Sequence, residues 1–425
     1  MDKIWQTKLE MLNRLEDKFQ YLPSHDALFL LTKTVSVCRV NYLLRTSQCS
    51  GHPGLSQYDD QLRSMFISSS NLLLSDNCWK QAELPRSFGG LGLRSTATLA
   101  PSAFVASAAG ARILIAKILS TRYAVPMTSY HEEAVKGWSK SFPEIAERPA
   151  EQQQHKQHSW DDIVCRAAFD KLMATSNDAV TRARLLAAKV DRSAAWMDAI
   201  PISSIGLKMD NESVRIATGL RLGCNLTIPH QCKCGMAITA DGRHGLVCRR
   251  GHGRITRHRM INDVIQRAFA AADVPSDREP GGLCPGDMRR PDGVTTIPWT
   301  RGKCIAWDAT CPDTFSASHL PQTSQTAGSA AAAAELAKRT KYTDLDASID
   351  FVPLAVETSG VWGAEATRLL CEIGRRTAEI AHDQRSTAFL FQRLSVALQR
   401  GNALCVRETF ATVDEQQQEP WNDLP

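Results

Sequence analysis

Residues 290–310 read RPDGVTTIPWTRGKCIAWDAT, with two β-like runs, 294–297 and 304–310, on either side of a turn rich in Pro and Gly. As a hairpin, this stretch would bring Asp292 and Asp308, sixteen positions apart, to neighbouring strand ends. Two carboxylates at such a place can hold one hard cation such as Mg²⁺. The stretch therefore predicts a hairpin that carries a candidate metal site.

The segments around the hairpin alternate between helix and strand. A helix is predicted at about 260–272, and an Ala-rich helix follows the hairpin at about 328–345. A strand at 351–357 and two closing helices complete the order α, β, β, α, β, α, α, which predicts an α/β core over residues 260–410. Further candidate acids are Glu357, which ends the last strand and would orient water or a ligand, and, less strongly, Asp263 and Glu279.

A cluster of metal-ligand residues precedes this core. Cys232, Cys234, His244 and Cys248 form a Cys-x-Cys-x9-His-x3-Cys pattern in which two short-spaced pairs flank a loop containing glycines. Such pairs can close a tetrahedron around Zn²⁺. The pattern predicts a zinc knuckle, and the alternative is a cysteine-bearing hairpin without a metal.

A dense basic run follows the knuckle at 249–259, RRGHGRITRHR. Phosphate backbones attract such a cluster through counterion release, and arginine can fork across phosphate oxygens. A solvated surface is the alternative, but the neighbouring knuckle favours nucleic-acid binding. The predicted contacts are Arg249, Arg250, Arg254, Arg257 and Arg259.

The rest of the chain is predicted to be mainly helical. Helical spacing of apolar residues dominates the first 150 residues. Residues 151–158, EQQQHKQH, have nothing apolar to bury and predict a linker, followed by a helical connector at 159–228. The polar end at 411–425 is predicted to be disordered. We therefore expect an α+β multidomain protein with a mainly α-helical N-terminal half, a small knuckle at 229–259 and the α/β core.

Charge and cysteine usage narrow the class of protein. The net charge of +5 is too small to indicate an anionic partner, but residues 229–260 alone carry seven cations and one acid. The start lacks a signal-peptide layout, and no uncharged apolar run approaches the roughly 20 residues needed to span a bilayer. The 13 cysteines are therefore interpreted as reduced thiols and metal ligands. These features predict an intracellular protein without a membrane partner.

The hairpin resembles the core of the restriction-like nucleases, whose signature is Pro-Asp, a spacer, then Asp or Glu, any residue, and Lys. Pro291-Asp292 and Asp308 match it, but Thr310 stands where the signature has its lysine. The resemblance implies that the catalytic lysine comes from another element. Lys338 and Lys341 lie three positions apart on the next predicted helix, share one face and are both candidates.

Three blocks together are similar to the C-terminal part of non-LTR retrotransposon polyproteins that end in a restriction-like endonuclease. They are the knuckle with its continuation HRMIND at 258–263, the hairpin, and VET at 356–358 with the helices after it. Upstream, LPSHDA at 22–27, NYLLR at 41–45 and residues 79–93 are similar to the helical region that follows a reverse-transcriptase palm.

This second resemblance implies an endonuclease with structural Zn²⁺ and catalytic Mg²⁺ that nicks target DNA for target-primed reverse transcription. Target DNA and the element's RNA are the implied partners, and the nucleus is the implied location. No polymerase activity is expected, because no palm strands precede the helical region. The alternative is a catalytically inactive remnant that binds nucleic acid, whereas a purely helical adaptor would leave the hairpin acids and the basic run unexplained.

Overall fold

The computed structural model describes residues 1–118, 127–283, 289–346 and 348–410, without the side chains of 113–117 and 127–129. The tail at 411–425, for which disorder is predicted, lies outside the described residues. The described chain mixes helices with small sheets, so the α+β class is confirmed. It divides into two compact units, Met1–Ser176 and Asn177–Pro425.

The described part of the first unit is helical. Asp59 caps the N-terminus of the helix that begins at Thr96, because its carboxylate accepts hydrogen bonds from the Thr96 and Ala97 backbone amides at 2.7 and 3.1 Å. The unit comprises α1 Asp2–Phe19, α2 Ser24–Leu30, α3 Asn41–Thr46, α4 Pro53–Ser70, α5 Asp76–Glu83, α6 Thr96–Ile118, α7 Met127–Ser141 and α8 Gln157–Ala174.

Within the described residues, Ser24–Thr46 is the one segment long and apolar enough, by length and composition, to cross a membrane. The structure divides it into α2, a π-helical turn at Leu31–Val35, a short 3-10 turn and α3. Leu31 and Leu44 are fully buried. Its apolar side chains therefore contribute to the core of the helical unit.

The predicted linker at 151–158 is not the boundary between the compact units. The indole N–H of Trp160, on α8, donates to the Gln154 carbonyl at 2.9 Å, and the Trp160 ring packs edge-to-face on Trp138 with centroids 5.0 Å apart. Both tryptophans are fully buried, so α8 belongs to the first unit. The boundary follows Ser176 and divides the predicted connector at 159–228.

The second unit combines helices with two small sheets. One sheet pairs β1 with β2, and the other has the order β3-β4-β5-β6, antiparallel except for the parallel β5–β6 pair. The elements are α9 Ala179–Lys189, α10 Asn211–Leu222, β1 His230–Gln231, β2 Ala237–Ile238, α11 Gly253–Ala271, β3 Ser276–Arg278, β4 Gly293–Thr295, β5 Cys304–Thr310, α12 Leu320–Thr323, α13 Ser329–Lys341, β6 Ile349–Ala355, α14 Ala364–Ala381 and α15 Ser386–Arg407.

The core of this unit lies between the four-stranded sheet and helices α11, α14 and α15. Phe269 of α11 stacks on Trp307 of β5 with ring centroids 4.9 Å apart, and Ile373 and Leu394 pack into the same cluster. All four side chains are fully buried, which stabilises the fold by roughly 2 kcal/mol for each. The sheet and α11 are thereby fixed against each other.

The predicted order of helices and strands is present, with β3 as an additional strand and the short helix α12 after β5. One boundary is wrong. The knuckle was predicted to end at 259, but α11 already begins at Gly253, so the basic run continues into the helix. Its buried positions 257, 261, 264, 265 and 268 follow helical spacing, whereas Arg254 and Arg259 are exposed on the outer side.

Candidate metal centres

The hairpin brings the two predicted carboxylates together. β4 and β5 pair antiparallel with Gly293 opposite Trp307, and Asp292 therefore lies beside Asp308. Ligand atoms of both carboxylates and of His258 lie within 4.8 Å of one another. Glycine is required at 293, because a Cβ there would meet the Trp307 ring at 2.2 Å. These three residues, together with Lys338 of α13, are called the carboxylate cluster.

Hydrogen bonds orient the Asp292 carboxylate. Its Oδ2 accepts from the Ala309 backbone amide at 2.7 Å and from the Asn262 side-chain amide at 3.0 Å, and His258 Nε2 lies at 2.9 Å. The Trp307 indole N–H donates to Asn262 Oδ1 at 3.0 Å and so fixes that amide. The carboxylate is thus positioned by the protein itself.

His258 and Asn262 are not among the predicted site residues. They lie four positions apart on α11 and share the helix face that meets the hairpin. A histidine and an asparagine at this spacing, just upstream of a Pro-Asp hairpin, are the signal that could have indicated them. The signal was weak, because His258 lies within the basic run.

The contact between His258 and Asp292 shifts both pKa values. The hydrogen bond to Asp292, together with the charges of Asp292 and Asp308, raises the pKa of His258 although burial opposes this. Burial acts to raise the pKa of Asp292, but the His258, Asn262 and Ala309 donors together lower it. Asp292 is therefore ionised at neutral pH and available to a cation.

Of the two candidate lysines, Lys338 reaches the cluster. Its ammonium donates to Asp308 Oδ1 at 2.6 Å, and that aspartate side chain is only 5% exposed. The Lys341 ammonium instead lies 4.8 Å from the centre of the Tyr342 ring. The Tyr342 hydroxyl donates to the Arg290 carbonyl at 2.7 Å and ties the end of α13 to the start of the hairpin. Of the two candidates, Lys338 is thus the lysine that lies beside the hairpin acids.

Glu357 does not belong to the carboxylate cluster, and its predicted role is corrected. Its Oε1 accepts from the backbone amides of Ala330 and Ala331 at 3.1 and 3.2 Å, and Oε2 accepts from the Thr314 hydroxyl at 2.9 Å. Burial raises the pKa of this fully buried carboxyl. Glu357 therefore caps the first turn of α13, the helix that carries Lys338.

The four knuckle residues meet as their spacing predicts. One ligand atom from each lies within 4.8 Å of the others, so this Cys₃His cluster could hold a metal such as zinc. Cys234 Sγ lies 3.1 Å from His244 Nε2, and Cys232 Sγ lies 3.6 Å from Cys248 Sγ. A tight turn with Gly235 at φ 88° brings the first two cysteines together.

Two of the thiols differ in acidity. The hydrogen bond from the Met236 backbone amide, with further contacts to Cys232 and His244, lowers the pKa of Cys234 to about 7. Burial raises the pKa of Cys232 to about 11. Because a metal binds thiolates, occupation of the cluster would release the Cys232 proton.

The knuckle is packed onto the core of the second unit. A Cβ added at Gly245 or Gly253 would meet Cys405 of α15 at 2.5 and 2.8 Å, so both glycines allow close approach of the backbones. The Gly253 amide, at the start of α11, donates to Glu408 Oε2 at 2.6 Å. The knuckle, the start of α11 and the end of α15 are therefore in direct contact.

Four arginines of the basic run are exposed, but Arg257 is not. Arg257 is 2% exposed and donates to Asn402 Oδ1 of α15 at 2.9 Å. It faces α15 because it lies on the buried side of α11. Its prediction as a nucleic-acid contact is therefore wrong. The exposed members are Arg249, Arg250, Arg254 and Arg259.

No family model matches the chain, and no curated protein matches it. The class of protein is therefore inferred from the structure alone. Within the described residues it is a mixed α+β protein with one Cys₃His cluster and one cluster of His258, Asp292 and Asp308.

Proposed function

We propose that residues 177–410 form a metal-dependent DNA endonuclease. One observation carries the proposal: the hairpin acids Asp292 and Asp308 meet Lys338 of the next helix in a single cluster. Hard carboxylate ligands beside a fixed cation are groups that metal-dependent hydrolysis of a phosphodiester can use. The arrangement agrees with the restriction-like resemblance, with the lysine supplied by α13.

The carboxylates keep oxygens for an ion. Donors occupy Asp292 Oδ2 and Asp308 Oδ1, and among the described residues no hydrogen bond is formed to Asp292 Oδ1 or Asp308 Oδ2. These oxygens suit Mg²⁺, which is bound through one or two carboxylates. Bound there, Mg²⁺ would polarise the scissile phosphate and lower the pKa of an attached water.

The protein side chains have separate tasks in this proposal. Asn262 and His258 hold the orientation of Asp292, so the metal ligand is preorganised. Lys338 is partly buried and held by Asp308, from which its ammonium can contact the charge that develops on the phosphate.

Binding of DNA would use the exposed arginines. Arg254 and Arg259 lie on α11, the helix that carries His258, and neutralise phosphates close to the cluster. Zn²⁺ is the ion that we assign to the Cys₃His cluster, because three thiolates and one imidazole form a closed tetrahedral set. Its role would be structural, since no coordination position is left for a substrate.

The retrotransposon resemblance supplies the biological context of the proposal. In that context the nick in target DNA primes reverse transcription, the element's RNA is a second partner and the reaction takes place in the nucleus. The alternative, an inactive nucleic-acid-binding remnant, shares the exposed arginines and differs only in cleavage.

A nicking assay on supercoiled plasmid separates the two. Purified protein should nick with Mg²⁺ or Mn²⁺ and not with a chelator, and Asp292→Asn should lower the rate at least about 100-fold because a metal ligand is lost. Its DNA affinity should stay nearly unchanged. Asp277→Asn, at an exposed acid of β3, is the matched control and should nick normally. Wild-type protein that binds DNA without nicking would identify the remnant.

A further inference from the structure

A groove of about 620 Å³ lies on the side of α11 away from the carboxylate cluster. Met260, Val264 and Arg267 line it from α11, and the 3-10 turn Ser203–Ile205 lies at its edge. At about 100° per residue, these α11 positions lie roughly opposite the helix face of His258. The groove is therefore separate from the carboxylate cluster.

The charge of the groove is positive. Arg267, Arg393 and Arg400 line it with one acid, Asp263, which leaves a net charge of +2. Asp263 is also shared with Arg278 outside the groove, whose guanidinium lies 3.1 Å away, whereas Arg267 lies at 3.9 Å. The groove thus has more cationic charge than its own carboxylate can balance.

Arg393 is the least compensated of these cations. In the described ranges no hydrogen-bond acceptor contacts its guanidinium, which lies 5.8 Å from the centre of the Phe389 ring. Burial, and then the charge of Arg267, lower its pKa. A half-buried arginine facing a second arginine is unfavourable alone and becomes favourable when an anion binds between them.

The remaining lining fits a nucleotide better than an acidic peptide. Phe389 is 36% exposed and offers a ring face on which a base can stack, and Ser203 and Ser204 add hydroxyl donors. Arginine forks match phosphate oxygens, and the Arg400 fork is anchored by its bond to the Lys208 carbonyl at 2.5 Å. An aromatic side chain in a positively charged groove is typical of single-strand recognition.

We propose that this groove binds a single-stranded nucleic acid, with Arg267, Arg393 and Arg400 on the phosphodiester backbone and Phe389 stacked on a base. This site goes beyond the endonuclease function and requires neither metal. It would hold a strand while the opposite side of α11 acts on duplex DNA. RNA and DNA share the recognised chemistry, and the experiment distinguishes them.

The test measures binding of fluorescent single-stranded RNA and DNA of one sequence to the full chain by anisotropy over a range of salt concentrations. Arg267→Ala/Arg393→Ala should weaken binding about tenfold at low salt and flatten the slope of log affinity against log salt by about 1.4, for two phosphates. Arg375→Ala/Arg385→Ala, at arginines paired with carboxylates on the surface, is the matched control and should leave both unchanged.

A second variant tests stacking. Phe389→Leu should weaken binding about tenfold without changing the salt slope, because the variant loses a stacked base and keeps its phosphate contacts. Loss of affinity for RNA alone would assign the groove to RNA. Equal loss of affinity for the RNA and the DNA oligonucleotide would show that the groove recognises chemistry that both share. Plasmid nicking by each variant should stay within about twofold of wild type, because the groove and the carboxylate cluster lie on different faces of α11.

Three results would overturn the proposal. An unchanged salt slope in the double arginine variant is the first, and an equal loss of affinity in the control variant is the second. The third is a loss of polyglutamate binding in the double arginine variant without a loss of single-strand binding. That result would assign the groove to an acidic protein segment. Normal nicking in any of these cases leaves the endonuclease proposal intact.

Discussion

The Cys₃His cluster and the carboxylate cluster are assembled by opposite routes. The four knuckle ligands come from 17 consecutive positions and meet through tight local turns. The carboxylate cluster spans positions 258–338 and meets only where α11, the hairpin and α13 pack together. A site made by local turns can be inferred from spacing alone, whereas a site made by topology needs the fold.

The strongest test of the topological site is its lysine. Lys338→Ala should lower the nicking rate about 100-fold, because a cation at the reacting phosphate is lost, while Lys341→Ala should stay within about twofold. The measurement is single-turnover nicking at saturating DNA. Equal rates for the two variants would mean that the position of Lys338 beside Asp308 has no part in the chemistry.

The second test asks whether the local site is independent of the topological one. Treatment with a zinc-selective chelator, or replacing Cys248 by Ser, should lower nicking about tenfold in added Mg²⁺, because the ligand Cys248 lies just before α11, the helix that carries His258. Zinc content is measured on the same samples. Cys38→Ser, at an exposed cysteine, is the control. Zinc-free protein that nicks at the wild-type rate would show that the two sites are uncoupled.

The third test separates arginines that bind from the arginine that packs. Arg254→Ala/Arg259→Ala should flatten the salt dependence of duplex DNA affinity by about 2 units. Arg257→Ala should instead lower the free energy of unfolding by about 1 to 2 kcal/mol, because Asn402 loses its buried donor. Salt titrations and denaturant curves on both variants provide the comparison. A slope change for folded Arg257→Ala would contradict its buried role.

The smallest expected effect concerns the buried cap of α13. Because burial raises the pKa of Glu357, the folded protein binds more protons than the unfolded chain above the ordinary glutamate pKa. The free energy of unfolding should therefore fall as pH rises from about 4.3 through the folded pKa. Glu357→Gln keeps an acceptor for the helix amides and removes this loss.

Denaturant curves between pH 5 and 8 check this prediction. The stability of Glu357→Gln relative to wild type should increase with pH, and the comparison cancels contributions from other buried acids such as Asp313 and Glu335. Glu379→Gln, at an exposed acid of α14, serves as control. A pH-independent difference would mean that Glu357 does not titrate in this range.

Most of the second unit could be predicted from sequence. The strand at 304–310 and the order of elements follow from apolar runs and turn residues, which are local properties of the chain. The knuckle ligands follow from spacing for the same reason. The sequence could not distinguish Lys338 from Lys341. Three residues correspond to a rotation of about 300° around the helix axis, so the two side chains share one helical face only approximately.

The errors have a common physical cause. Glu357 was assigned from its place at the end of a predicted strand, and Arg257 and the linker at 151–158 were assigned from residue type, which favours exposed charge and unstructured polar runs. Each is overridden by a tertiary contact: a helix N-terminus, the Asn402 side chain and the buried Trp160. His258 shows the reverse case, because a residue of the basic run lies beside Asp292 in the carboxylate cluster.

The close packing of Gly253 on Cys405 has a consequence for inheritance. A recombination event between the knuckle and the core would separate Gly245 from Cys405, whose backbones lie in close contact. An exchange of both candidate metal sites that keeps these contacts would involve residues 177–410 together, a segment within the usual size range of a domain.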